Sequence, residues 1–338
     1  MAWPLKQFYN SIATTIHWQL QDFRINEPKA LITVQLTMPR PLAISLSVIA
    51  GALIAVQSRV NGELAIALQD GLFAALLSFG IGTALVALPF FVSRSERIKL
   101  LVSTKALGRQ LPIWMTLGGF FGGFFVMTQG LVAPEIGVTL FTLAIVSGQA
   151  AAALMVDSFG MLGLAKRKLS MARLAGAGIA IIGLVLSSGL GVQAVSGLIV
   201  LPFLAGFGSG FQQAINGRLA TKTDSVLIST LLNFVTGTAL IAVVVLAFQG
   251  VPDLSNGLPT NPVLYLGGLV GGIFIFIQVT VVRQIGVLAL GLSLLLGQVI
   301  ASLVLDLIAP ITASSFGLLT YLGVVLVVFG ASMVVIKR

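Results

Sequence analysis

Cysteine is absent from these 338 residues, and histidine occurs once, as His17. The first absence removes disulfides and thiolate chemistry, and the two together remove most metal sites, which draw on sulfur and imidazole donors. Acidic side chains are scarce as well. The ten Asp and Glu form no cluster at metal-ligand spacing and offer no carboxylate pair on one side of a membrane for acid–base work. A Gly-rich, phosphate-cradling loop is also missing, so direct use of ATP is excluded and no cofactor is expected. With only 9% of residues charged, the chain has too little polar surface to cover a soluble globule of its length.

What the chain has in quantity is apolar sequence, 57% of it, with a mean hydropathy of +1.07, which places it in a lipid bilayer. From Pro41 onward ten apolar blocks lie near 41–60, 72–92, 112–133, 136–156, 173–190, 195–215, 226–248, 263–282, 285–306 and 316–336. Each approaches the roughly 20 residues that a helix needs to cross a hydrocarbon core. Backbone groups in lipid must be paired within the chain, and no alternating barrel pattern is present, so an all-α polytopic membrane protein is predicted. The net charge of +9 then reads as membrane anchoring rather than nucleic-acid binding. With the N-terminus inside, every Lys and Arg except Arg59 falls on an inward segment, which predicts cytoplasmic N- and C-termini.

The chain repeats itself. Gln57-Ser-Arg-Val-Asn61-Gly62-Glu-Leu64-Ala65 returns 155 positions later as Gln212-Gln-Ala-Ile-Asn216-Gly217-Arg-Leu219-Ala220. The same offset carries the run from Leu76 to Leu85 onto Leu231 to Leu240 with seven of ten residues identical, Phe, Gly and Thr among them. An offset of 149 then maps Gly118-Gly119-Phe-Phe-Gly122-Gly123 and Gln129 onto Gly267-Gly268-Leu-Val-Gly271-Gly272 and Gln278, followed by Gln149 and Asp157 onto Gln298 and Asp306. The change of offset marks a longer loop between the second and third blocks. Residues 41–190 and 195–338 therefore read as two five-helix repeats, and an odd number of crossings per repeat inverts the second relative to the first. Residues 1–40 read as a cytoplasmic arm resting on the membrane through Trp3, Phe8, Tyr9, Trp18 and Phe23, unless translation begins at Met38.

Depth along the blocks predicts two polar clusters. Gln57, Asn61, Gln129, Gln298 and Asp306 form an outer one; Gln212, Asn216, Gln278, Gln149 and Asp157 form an inner one. Taken singly, each amide reads as a tie between helices. Recurring at matched positions, the set reads as substrate contacts and gates around a central cavity. A carboxylate shielded from water holds its proton more tightly, which makes Asp157 and Asp306, and more weakly Glu63 and Glu135, the candidates for proton coupling. The Gly-Gly-x-x-Gly-Gly runs predict close helix packing, and Gly176 with Gly183 and Gly323 with Gly330 predict packing faces for a homodimer through the fifth and tenth blocks.

The duplicated Gln-x-x-x-Asn-Gly-x-Leu-Ala motif, the Phe-x-x-Gly-Thr block and the Gly-Gly-x-x-Gly-Gly helix resemble the drug/metabolite transporter superfamily. Within it they are most similar to the bacterial "transporter family-2" branch, long catalogued as a domain of unknown function. The resemblance covers about Pro41 to Arg338 and implies a ten-helix carrier of the bacterial inner membrane, made of two inverted repeats. It also implies a central cavity to which Gln57, Asn61, Gln129, Gln149, Gln212, Asn216, Gln278 and Gln298 contribute. Ser58 against Gln213, and Glu63 against Arg218, depart from repeat symmetry, so the two gates are not chemically equivalent. The function expected is secondary transport of a small metabolite or drug-like compound, efflux rather than uptake. The rivals are a non-transporting scaffold or channel and, more weakly, a membrane enzyme on lipid-linked substrates.

Overall fold

The computed structural model describes residues 38–161, 170–187, 197–252, 257–309 and 317–336. The arm before Met38 lies outside them. Regular structure among the described residues is helical, apart from one isolated bridge between Leu107 and Leu111. The helices are α1 (Arg40–Leu68), α2 (Gly71–Val92), α3 (Arg94–Ala106), α4 (Gly118–Ile136), α5 (Val138–Phe159), α6 (Met171–Ser187), α7 (Val200–Thr223), α8 (Val226–Phe248), α9 (Gly267–Ile308) and α10 (Leu318–Ile336). Short 3-10 turns, Ile113–Thr116 and Pro262–Tyr265, lead into α4 and α9.

Turn chemistry sets the helix boundaries, and it is duplicated. α1 ends where Gln69 turns left-handed at φ 53°, and Asp70 then caps α2 by accepting the Phe73 N–H. The copies, 155 residues on, do the same: Asp224 turns left-handed at φ 48°, and Ser225 accepts from Ile228 N–H to start α8. The longer loop expected after the second block is instead helix α3. Ser93 accepts the Glu96 N–H at its start, a capping arrangement that the spacing Ser-x-x-Glu allows.

Several helices bury polar side chains while they expose large apolar ones. On α1, Ser47, Gln57, Ser58 and Asn61 are buried, while Leu42, Ile49 and Ile66 are about half exposed. α7 buries Ser209, Gln212 and Asn216 and exposes Val200 and Leu204. Amides turned inward and leucines turned outward have one physical reading, an apolar surrounding. Among the described residues, seven stretches are long and apolar enough to cross a membrane: 40–68, 71–92, 113–136, 138–156, 226–248, 262–282 and 290–308. α6 and α10 are apolar but shorter. α7 has the length, at 24 residues, but carries the Gln212-Gln213, Asn216, Arg218 and Lys222 series.

The eighth and ninth blocks, expected as separate helices, share one run of helical backbone in α9. The reason lies in sequence: Pro134, which ends α4 together with Gly137 (φ 79°), corresponds to Arg283, which keeps its N–H in the ladder. α9 is nevertheless not straight. A Cβ on Gly271 would meet the Gln57 amide, and one on Gly51 would overlap the Leu294 backbone. The two contact points are about 35 Å apart along a straight helix at the α9 end and only about 9 Å apart on α1, so α9 turns back on itself between them.

Helices pair in matching ways across the two copies. α1 meets the second half of α9 through Gly51 on Leu294 and Gly297 on Val48; α7 meets α5 through Gly206 on Ile145 and Gly148 on Phe203. At the α2–α8 contact residues meet their own copies. The Phe79 and Phe234 rings stand 4.9 Å apart, and the Thr83 and Thr238 hydroxyls hydrogen-bond at 2.7 Å. Gly176 and Gly183 of α6 pack on Gly330 and Gly323 of α10. These glycines therefore face each other within one chain, and the dimer contact expected through them loses its basis.

Candidate functional site

Each Gly-Gly-x-x-Gly-Gly helix presents two stripes, and they do different things. Gly119 and Gly123 on α4 approach α8 so closely that a Cβ would meet the Asn233 carbonyl and the Gly237 backbone; Gly268 on α9 approaches Ser78 and Gly82 of α2 in the same way. The other stripe makes room for amides. Cβ atoms on Gly118 and Gly122 would run into Asn216 and Gln212, and those on Gly267 and Gly271 into Asn61 and Gln57. The glycines thus let two helices bury carboxamides against bare backbone.

The outer set of amides is partly brought together. Asn61 donates from Nδ2 to Gln129 Oε1 at 2.6 Å, and Gln129 donates from Nε2 to Ser58 Oγ at 2.8 Å. Gln57 is buried with no partner for Oε1. Gln298, also buried, has no protein partner for either amide atom and stands apart from the Asn61–Gln129 pair.

In the inner set the bonds differ. Gln212 Nε2 and Asn216 Nδ2 both donate to Asn233 Oδ1, at 2.9 and 3.0 Å, and Gln149 Nε2 reaches Ser209 Oγ at 3.3 Å. Asn233, Ser58 and Ser209 were not expected as site residues. Asn233 carries a legible signal, since it replaces Ser78 inside an otherwise closely matched block.

A narrow central cavity lies where these helices converge. Four of the predicted amides line it, Gln57, Gln149, Gln212 and Gln278, together with Ser209. Its apolar walls include the rings of Phe79, Phe125, Phe234 and Phe274, and among the described residues none that lines it is charged. Gln129 and Asn61, bonded to each other, and Asn216 are buried behind it.

The carboxylates stand elsewhere. Asp306 accepts the Val138 and Thr139 N–H groups, at 3.3 and 2.6 Å, and so caps α5, whose own start at Gly137 supplies no capping side chain. Glu63 pairs with Arg59 at 2.6 Å, one turn apart on α1, and the same guanidinium reaches the Ala309 carbonyl. Glu135 is exposed at the end of α4. The Asp157 side chain lies outside the described residues. Among the described residues no group of His, Asp and Glu is placed to hold a metal ion.

Compared with known families, the chain matches the model of the family described as "Putative inner membrane exporter, YdcZ" over residues 42–186 and again over 197–333. No curated protein matches it. Six chains of solved structures are similar to it. One, described only as "Crystal structure of protein", has a TM-score of 0.51 and 20% identity over 86% of this chain and 94% of its own, a likeness of fold alone.

Proposed function

The chain belongs to the YdcZ family of the drug/metabolite transporter superfamily, an inner-membrane exporter family, and from that premise we propose that it is a secondary transporter working by alternating access. Membership makes it a multi-pass membrane transporter rather than an enzyme. In the reading proposed here, residues 41–190 and 195–338 are inverted five-helix repeats, ten crossings in all, with both termini cytoplasmic and the solute moving outward. The candidate gates are the two amide sets, and Gln57, Gln149, Gln212 and Gln278 meet the solute.

One observation carries the reading. Gln129 is bonded to Asn61, whereas its repeat copy Gln278 lines the cavity and the copy of Asn61, Asn216, bonds to Asn233 instead. Equivalent residues in two copies thus hold different partners, as an alternating pair of gates requires: Asn61–Gln129 shut, Asn216–Gln278 open. A buried amide bond of this kind is worth about 1 kcal/mol, small enough to be exchanged for its counterpart. Asp306 serves as a helix cap and Glu63 as half of an ion pair, so neither of these two is assigned as a proton carrier.

Because the chain has no cysteine, the test needs no background substitutions. In proteoliposomes, Ser209→Cys should react with an impermeant maleimide from either side. Cross-linking Asn61→Cys to Gln129→Cys with a short thiol-specific linker should then confine that reaction to the cytoplasmic side, and cross-linking Asn216→Cys to Gln278→Cys to the opposite side. Labelling from one side only, unmoved by either cross-link, sinks alternating access.

A further inference from the structure

We infer that the solute taken by this cavity is uncharged, with a flat apolar body and an adjacent donor and acceptor at one edge, as in a carboxamide or lactam. The inference rests on the cavity being the transport site and deepens that reading. Among the described residues, none that lines the cavity carries a charge. Two described carboxylates are committed elsewhere, Asp306 to the α5 backbone and Glu63 to Arg59. An ion entering this space would give up its hydration with no counter-charge in return, a penalty of several kcal/mol even after relaxation. Carboxamides, by contrast, each offer one acceptor and two donors, and four of them converge here.

The orphaned atom fixes the sense of one contact. Gln57 lines the cavity, and its buried Oε1 accepts no hydrogen bond, so a ligand that brings an N–H or O–H to it removes a standing penalty. Gln212 differs, since its Nε2 is held by Asn233 and its Oε1 remains the acceptor side. The walls favour a ring. Phe79 and Phe234 stand 4.9 Å apart with a 35° tilt, and Phe125 and Phe274 complete an aromatic lining suited to the faces and edges of a planar ligand.

The probes are four compounds of one size: benzamide, benzoate, benzylammonium and cyclohexanecarboxamide, titrated by calorimetry and thermal shift against the purified full-length protein. Benzamide should bind most tightly, with both ions weaker by about tenfold or more and the non-planar amide in between. Gln57→Leu should weaken benzamide about tenfold. Gln278→Glu, measured at pH 8, should gain affinity for benzylammonium over wild type, a gain that a misfolded variant cannot show. Equal or tighter binding of either ion by the wild type, or binding of none of the four, overturns the proposal. Counterflow of labelled benzamide in proteoliposomes separates the two readings. The predicted ranking without counterflow keeps the solute class and sinks transport, whereas counterflow that ignores the ranking keeps transport and sinks the class.

Discussion

Two glutamines on matched sides of the protein show how differently the same buried amide weighs. Gln129 holds Asn61 and Ser58 together, so removing it strands the buried Asn61 donor and costs Ser58 the N–H it accepts, though the Ser58 hydroxyl still donates to the Ile54 carbonyl. Gln298 holds nothing: both amide atoms are buried without a protein partner. Its repeat copy, Gln149, bonds Ser209, and the position matching Ser209 in the first copy is Ile54, which has no hydroxyl to give. Replacing an unsatisfied amide by an apolar group of similar shape is neutral or stabilising, whereas breaking a satisfied pair costs about 1–3 kcal/mol. Gln298→Leu should therefore leave thermal unfolding in detergent unchanged or raise its midpoint, and Gln129→Leu should lower it. A fall of equal size in both variants would mean that Gln298 has a partner that this account lacks.

Between helices, the glycine runs divide the fold into contacts that admit no methyl group and places that do. A Cβ on Gly119 would strike the backbone of α8 at Asn233 and Gly237, where nothing flexible can give way. Gly80, inside α2, has open space around its Cβ direction. Gly119→Ala should destabilise by about 1–3 kcal/mol through overpacking, and Gly80→Ala should stabilise by up to about 1 kcal/mol through helix propensity. Unfolding of the two variants by denaturing detergent measures both, and equal midpoints would remove the claim that α4 and α8 touch at the backbone. Much at this scale was readable beforehand. The apolar blocks and the close-packing glycines follow from period and repeat. What was not readable depends on partners far apart in sequence. Asp306 is a cap because α5 begins at Gly137 without one of its own. The role of Asn233 is set by donors 17 and 21 residues away. The turn in α9 could be inferred only once Gly271 and Leu294 were both seen against α1. α3 is the exception, since Ser93 and Glu96 announce it and its low hydropathy hid it among the loops.

At the scale of the whole chain, contacts between helix ends sort those ends into two groups. Gln249, after α8, donates to Asp70 before α2; Arg59, near the end of α1, reaches Ala309 after α9; and Asp306 caps the start of α5. A second group joins Ser225, before α8, to Glu96 in α3, Lys99 to the Asp224 carbonyl, and Arg173 near the start of α6 to the Val334 carbonyl near the end of α10. The basic residues favour the second group: Arg94, Arg97, Lys99 and Lys105 belong to it, while Arg59 in the first is neutralised by Glu63. By the excess of Lys and Arg on cytoplasmic segments, the second group is the cytoplasmic end in the topology proposed here. Two glycine turns sample the two ends, Gly108 (φ 79°) after α3 and Gly250 (φ 78°) after α8, and neither has an atom near where a Cβ would stand. Alkaline phosphatase fused after Gly250 should be active and after Gly108 inactive, while a fluorescent protein fused to the C-terminus should fluoresce in the cytoplasm. The three results together require an odd number of crossings between Gly108 and Gly250 and again between Gly250 and the C-terminus, five and three in the ten-crossing arrangement. Equal activity at the two glycines, or a C-terminus outside, would remove the inversion of the repeats and with it the reason for two gates that exchange roles.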